Sequence, residues 1–319
     1  MHWMDEENGL RVPVLDAAAQ AGSLGGRSFV KGNVMIVVTG VTGNTGNVTA
    51  DRLLARGEKV RVVVRDAKKG ASFAARGAQV AVADLGDRAA LAAALRGADS
   101  AYLLLPPNLA AASFRGYQRD TVKAMAAAVA DATLPHAVLL SSVGAELEGG
   151  TGPIVGLHEA EEELGRVPGL SLASLRAAYF MENFGASLGA LAQDVLPSFL
   201  PASFPIAMVA TKDIGELAAT LLVERAKGVT NLGSPFSMND AAAALSTLTG
   251  RTIQVAEAPL AAMADTLAGY GMPKEIAALY QEMTQGMAEG RIRFDTAHRT
   301  LAGRTGLLEV LRGLMPQAS

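Results

Sequence analysis

Val34-Met35-Ile36-Val37-Val38-Thr39-Gly40-Val41-Thr42-Gly43-Asn44-Thr45-Gly46 is an apolar, β-branched run that stops at three glycines spaced three apart. A helix-compatible segment, Asn47 to Arg56, follows it. Strand, glycine turn and helix in that order form the context in which a glycine pattern points to a dinucleotide. Each glycine has its own expected role. Gly40 turns the chain sharply off the strand, Gly43 lets the backbone approach a pyrophosphate, and Gly46 lets the helix pack close to the sheet. The helix N-terminus adds unpaired N–H groups and a partial positive charge. The spacing is G-x-x-G-x-x-G, not the G-x-G-x-x-G of ordinary dinucleotide dehydrogenases. A tight turn without a ligand is the alternative, and three glycines in this setting weigh against it.

Downstream, apolar runs and helical segments alternate, which predicts an α/β fold: a doubly wound parallel sheet, or Rossmann fold. Further strands are expected at Lys59 to Val64, Ala78 to Ala83, Ser100 to Leu105, Pro135 to Ser141 and Leu170 to Leu175. Helices are expected at Ala67 to Arg76, Asp87 to Arg96 and Ser113 to Ala132. Beyond Tyr179 the alternation loosens. Helices are expected there at Asp213 to Arg225, after Ser237 as an N-cap, and at Pro259 to Ala268 and Pro273 to Gly286. The expected organisation is an N-terminal extension over 1–33, a dinucleotide-binding domain over 34–180, and a smaller, mostly helical substrate lobe over 181–319. One strand or more of that lobe can return to the main sheet. The leader lacks a sustained period apart from a short helical stretch, Val14 to Gln20, and is set aside as an extension, poorly ordered in expectation.

Composition narrows the function. The chain has 319 residues, half of them hydrophobic and 18% charged, with a net charge of −3. That is a globular balance with no broad basic field for a nucleic-acid backbone. Zero cysteines remove disulfides, thiolate nucleophiles and Cys-ligated metals, and four scattered histidines lack ligand spacing, so no metal site is expected. No apolar run approaches the ~20 residues of a membrane helix, and Asp5, Glu6 and Glu7 stand where a secretory signal needs basic residues. The expected location is the cytoplasm. The expected partners are a small-molecule substrate and, as an open alternative, a second copy in a homodimer, with neither nucleic acid nor membrane.

In a doubly wound sheet the ligand lies at the carboxyl ends of the strands. Arg65 ends the second strand, with Asp66, Lys68 and Lys69 behind it. An arginine there pairs with the 2′-phosphate of NADP, whereas an acidic residue suits the ribose of NAD. NADP(H) is therefore the expected cofactor, and Asp66 leaves NAD(H) as an alternative. After the third strand Asp84 is placed to accept from the adenine amino group, with Leu85 packing on the ring and Asp87 capping the next helix. Leu105 and Pro106 follow the fourth strand, where the chain passes the nicotinamide ribose.

TGVTGNTG, VVVRDAKK, ADLGD, LLLPP, LLSSVGA and LRAAYFMENF together resemble the NmrA-like branch of the atypical short-chain dehydrogenase/reductases. The resemblance runs from roughly Met35 to Gly313. That branch includes quinone-oxidoreductase-like, azoreductase-like and triphenylmethane-reductase-like proteins, and redox-sensing regulators without catalysis. The resemblance implies that Gly40, Thr42, Gly43, Asn44, Thr45, Gly46 and Arg65 hold the dinucleotide phosphates. It also implies that Tyr179, Phe180 and Asn183 sit near the nicotinamide.

Ordinary short-chain dehydrogenases use a serine with Tyr-x-x-x-Lys, the lysine lowering the pKa of the tyrosine that donates the proton. After Ser141-Ser142 the next tyrosine is Tyr179 and the next lysine Lys212, so that mechanism is absent. Where some family members carry a lysine, this chain has Leu157 and then His158. His158, near a helix start, is the candidate proton donor, with a helix-capping or surface role as the alternative. His136 and His298 are expected to be structural or surface residues. Ser142 either orients the nicotinamide amide or substrate, or caps its loop. Glu159, Glu161, Glu162 and Glu163 are expected to form a solvated helix face. Hydride transfer to an electron-poor quinone, azo dye or enone needs alignment more than a strong acid. An apolar pocket is expected from Met181, Phe184, Met208 and the Met-containing C-terminal helices. An NADPH-dependent oxidoreductase is the leading reading. A non-catalytic NADP(H)-sensing regulator and a non-redox isomerase on the same fold are the rivals.

Overall fold

The computed structural model describes residues 34–315; the expected extension over 1–33 lies outside them. In chain order the first half runs β1 (Met35–Val38), α1 (Asn44–Ala55), β2 (Lys59–Val64), α2 (Ala71–Ala74), β3 (Gln79–Val82), α3 (Arg88–Leu95), β4 (Ser100–Leu104), α4 (Phe114–Asp131), β5 (His136–Ser142), α5 (Val155–Gly165) and β6 (Ser171–Ala177). The second half runs β7 (Tyr179–Phe180), β8 (Val195–Ser198), β9 (Ile206–Val209), α6 (Thr211–Glu224), β10 (Gly228–Leu232), β11 (Ser234–Phe236), α7 (Met238–Thr249), β12 (Gln254–Glu257), α8 (Met263–Gly269), α9 (Lys274–Ala288), β13 (Arg299–Leu301) and α10 (Leu307–Leu314).

The main sheet has eight strands in the order β13-β10-β6-β5-β4-β1-β2-β3, and every pair in it is parallel. Helices cover both faces, so its strands are apolar at successive positions rather than alternately. Ile36 and Val38 face one layer with α1 and α6, and Val37 faces the other with α3, α4 and α5. Strand order reverses between β1 and its neighbours β2 and β4, which opens a crevice at their carboxyl ends.

Two departures from the sequence reading have local causes. α1 begins at Asn44, three residues earlier than expected, because Gly43 itself is the N-cap. The segment expected as one helix from Ala67 is a 3₁₀ turn over Ala67–Gly70 followed by the single turn of α2. Gly70 is pressed against β3, where a Cβ would lie 2.7 Å from Val80 Cγ1.

The C-terminal part contributes β10 and β13 to the main sheet and builds two small sheets, β11-β9-β7 and β12-β8. Its strands have two to five residues, too short to impose a period on the sequence. A separate core gathers Met181, Phe184, Leu196, Met208, Leu245 and Leu311. Ser237 does cap α7, in a capping box with Asp240. No helix among the described residues is long and apolar enough to cross a membrane.

Candidate active site

The glycine loop leaves β1 at the switch point, and its three glycines answer to different constraints. Gly40 has φ +65°, and a Cβ there would lie 2.4 Å from Leu104 Cδ2. At Gly46 a Cβ would lie 2.5 Å from the carbonyl oxygens of Thr39 and Gly40, so only glycine lets α1 seat against the strand end. Gly43 is under no such demand. Its φ of −102° suits any residue, and the nearest atom to an added Cβ is the Gly40 oxygen at 3.4 Å. Gly43 is exposed with Thr42 and Asn44, no side chain caps α1, and no acidic residue occupies its first turn. The protein itself needs two of the glycines. The third keeps open, on the solvent side of a helix N-terminus, a space that a Cβ would fill and that suits a phosphate. Thr45 is buried instead, its Oγ1 accepting from the Tyr102 hydroxyl at 3.0 Å, which ties the start of α1 to β4. Burial raises the Tyr102 hydroxyl pKa well above its ordinary value, so it stays protonated as that donor.

The other strand ends converge on the same edge. Arg65, just past β2, is exposed and has no hydrogen-bond or ion-pair partner among the described residues. Asp66 is already engaged, its Oδ1 accepting from the Lys68 N–H at 3.0 Å as the cap of the following turn. The cation is thus available to a ligand, while the carboxylate has local work. Lys68 is exposed in that turn. Asp84 is exposed, with Oδ1 accepting from the Gly86 N–H at 2.8 Å, and Asp87 caps α3 through the Ala90 N–H. Leu85, Leu105 and Pro106 are half-buried along the crevice.

At the ends of β5 and β6 the candidates are more constrained. The Ser142 hydroxyl donates to the Val143 carbonyl at 3.0 Å, which occupies its proton within the loop. The His158 ring sits in α5, where Nδ1 faces the Ala145 carbonyl at 3.0 Å. A carbonyl only accepts, so Nδ1 carries the proton and Nε2 of the neutral ring is a lone pair. His136 is buried at the opposite end of β5, its Nε2–H donating to the Ala226 carbonyl at 2.7 Å and its Nδ1 accepting from Ser100 at 2.6 Å. Burial lowers its pKa. His298 is an exposed partner of Asp295 at 2.7 Å. Tyr179 stacks edge-on against Phe184, and burial pushes its hydroxyl up to about 12 despite a bond to Asn183. Phe180 is half-buried and Asn183 exposed.

Two expectations are corrected here. Met181, Phe184 and Met208 are 2%, 3% and 0% exposed and belong to the C-terminal core, so they form no pocket wall. An apolar cleft of about 170 Å³ lies instead beside the end of β5, lined by Val143, Phe204, Ile206, Met287, Ile292 and Phe294, with Arg293 among its other residues. His158 does not line it. Met287 of α9 lines it, as expected of a Met-containing C-terminal helix, whereas most of its other residues come from loops before β9 and after α9 that carry no periodic signal. The expected solvated acidic face is also half wrong. Glu162 is exposed and Glu163 half-buried, both partners of Arg166, but Glu161 pairs with the buried Arg176 of β6 and Glu159 with Arg115.

Comparison with known proteins gives a family and a shared fold. The model of the NmrA-like family matches residues 32–299. An NAD(P)H azoreductase from Xenophilus azovorans is 26% identical over 258 residues, 78% of this chain and 86% of that protein. An Escherichia coli NADPH-dependent quinone oxidoreductase, solved with NADPH, superposes with a TM-score of 0.74 at 24% identity, over 88% of this chain and 99% of its own. The triphenylmethane reductase of Citrobacter sp., solved with NADP(H), gives 0.74 at 19% identity, over 88% and 100%.

Proposed function

The chain belongs to the NmrA-like family, and from that premise we propose that it is an NADPH-dependent reductase of a small conjugated acceptor, such as a quinone, azo compound or enone. One observation carries the reading: an apolar cleft beside β5 shares a sheet edge with a glycine loop that leaves Gly43 exposed and unobstructed at a helix N-terminus. The named reductases among its relatives and neighbours support it. NADPH, when bound, supplies a hydride and leaves as NADP⁺. In our reading Gly43, Asn44 and the other residues of the loop hold the pyrophosphate, and Arg65 with Lys68 takes the 2′-phosphate. Asp84 and Leu85 take the adenine. Leu105, Pro106, Ser142, Tyr179, Phe180 and Asn183 border the nicotinamide half. The cleft holds the acceptor and excludes water from one of its faces. A quinone then needs one proton besides the hydride to become a hydroquinone.

Arg65→Ala tests the cofactor assignment. Its unpartnered guanidinium makes a charge-assisted contact worth about 1.5–3 kcal/mol. The variant is expected to lose ten- to a hundredfold in NADPH affinity and to leave NADH affinity within twofold. Parallel titrations read this out, and an equal loss for both cofactors would refute the assignment.

His158→Gln tests the proton source. A general acid is typically worth 10²–10⁴-fold. His158 does not line the cleft and has Nδ1 tied to Ala145, so turnover is expected to stay within about threefold, the proton coming from water. A drop of a hundredfold would restore His158 as the acid. Steady-state NADPH oxidation over quinones, azo dyes and enones tests the reading as a whole. Tight cofactor binding without turnover of any acceptor would replace the reductase with a cofactor sensor.

A further inference from the structure

Arg293 stands out among the residues lining the cleft. It is the one charged side chain among them, and no acidic residue joins it there. It is exposed and has no hydrogen-bond or ion-pair partner among the described residues. Its neighbour two positions back is different: Arg291 is held by Glu289 at 2.7 Å and by the Gly150 carbonyl at 2.7 Å. Phe294, on the other side, packs into the apolar wall. An apolar cleft of about 170 Å³, below the roughly 300 Å³ where drug-sized pockets begin, suits a body of one or two rings. A guanidinium at its edge adds a planar, permanently charged donor fork that matches a carboxylate or sulfonate.

We propose that Arg293 sets the acceptor specificity of this site, selecting flat conjugated acceptors that carry an anionic substituent and disfavouring cationic ones. This rests on the cleft being the acceptor site. The apolar wall binds the ring system of any acceptor alike. Arg293 acts only on the charge, so its effect falls on affinity and not on the hydride step.

The test pairs 1,4-naphthoquinone with 1,4-naphthoquinone-2-sulfonate as acceptors for the parent, Arg293→Gln and Arg293→Glu. Because the sulfonate also changes the quinone's own reactivity, each variant is compared with the parent on the same acceptor. In Arg293→Gln the KM for the sulfonate is expected to rise about tenfold at low salt, with the KM for the neutral quinone within twofold and both kcat values unchanged. Arg293→Glu raises the sulfonate KM further. Added salt raises the parent's sulfonate KM and leaves that of Arg293→Gln flat, as screening requires. Equal effects on both quinones, or on neither, overturn the proposal. Calorimetric binding of anthraquinone-2-sulfonate in the presence of NADP⁺ separates the two layers. Binding that depends on Arg293 without turnover overturns the reductase reading and keeps the anion-selective cleft. Turnover without charge discrimination overturns only the present inference, and the absence of both overturns the two together.

Discussion

Gly43→Ala is expected to weaken NADPH binding by a hundredfold or more while leaving the fold intact, and Gly46→Ala is expected to lower the stability of the fold by more than about 4 kcal/mol. The two residues are three positions apart in one loop. At Gly46 a Cβ would lie 2.5 Å from backbone atoms of Thr39 and Gly40, and backbone cannot swing aside as a side chain can. Overpacking against a fixed strand end belongs to the exceptional class of substitutions that cost more than about 4 kcal/mol. At a few degrees of Tm per kcal/mol for a chain of this size, that amounts to ten degrees or more. At Gly43 the same methyl meets nothing closer than 3.4 Å, in a backbone conformation open to alanine. Its cost to folding is that of a poorer N-cap, about 1 kcal/mol. The methyl projects into the space assigned to the pyrophosphate, where charge-assisted bonds to helix N–H groups are worth roughly 1.5–3 kcal/mol each. Losing one or two of them gives the hundredfold. Thermal unfolding and NADPH titration of both variants check the pair. A Gly43→Ala protein that binds NADPH as the parent does would remove the glycine loop from the cofactor site.

The contrast between those glycines marks how far the sequence could be read. Strand, turn and helix were legible because β-branched runs such as Val34 to Val38 and Lys59 to Val64 end at residues that cannot continue them. That pattern also placed Arg65 and Asp84 at strand ends, since a parallel sheet brings all its carboxyl ends to one edge. What the sequence could not carry was contact between distant segments. Val143, Ile206, Ile292 and Phe294 meet only when β9 and the stretch after α9 fold over the end of β5. Met181, Phe184 and Met208 have the right chemistry for a pocket wall, yet the C-terminal core claims them. Glu161 shows the same limit. In a run of acidic residues on a helix it looks solvated, and only the register of β5 against β6 reveals the arginine waiting beneath it.

That arginine is the basis of the second large effect, in which Arg176→Met is expected to lower stability by about 3–5 kcal/mol, the cost of leaving a buried charge without its partner. The Arg176 side chain is 7% exposed on β6. Its Nε and Nη2 donate to the two oxygens of Glu161 at 3.0 and 2.7 Å, and Nη1 reaches Glu146 at 3.0 Å and Asp295 at 3.3 Å. Ser141, opposite it on β5, also donates to Glu161 at 2.6 Å. Burial alone would lower the guanidinium pKa, but the hydrogen bond and charge of Glu161, with Glu146 and Asp295, hold it above its ordinary value. Without the arginine, the partly buried carboxylates of Glu161, Glu146 and Asp295 are left facing one another without a counter-charge. Protonating those carboxylates removes the repulsion, so the penalty is largest at neutral pH and shrinks as pH falls into the carboxylate range. Denaturant midpoints for parent and Arg176→Met should therefore lie far apart at pH 7 and converge near pH 4. Adding Glu161→Gln to Arg176→Met should recover part of the loss at pH 7, because it removes one of the stranded charges. The cluster also anchors the segment that carries Arg293 and Phe294 into the cleft, through Asp295 beside them. Acceptor KM should rise in the variant even where enough folded protein remains to measure it. A gap in midpoint that is independent of pH would show that lost packing, and not stranded charge, sets the cost.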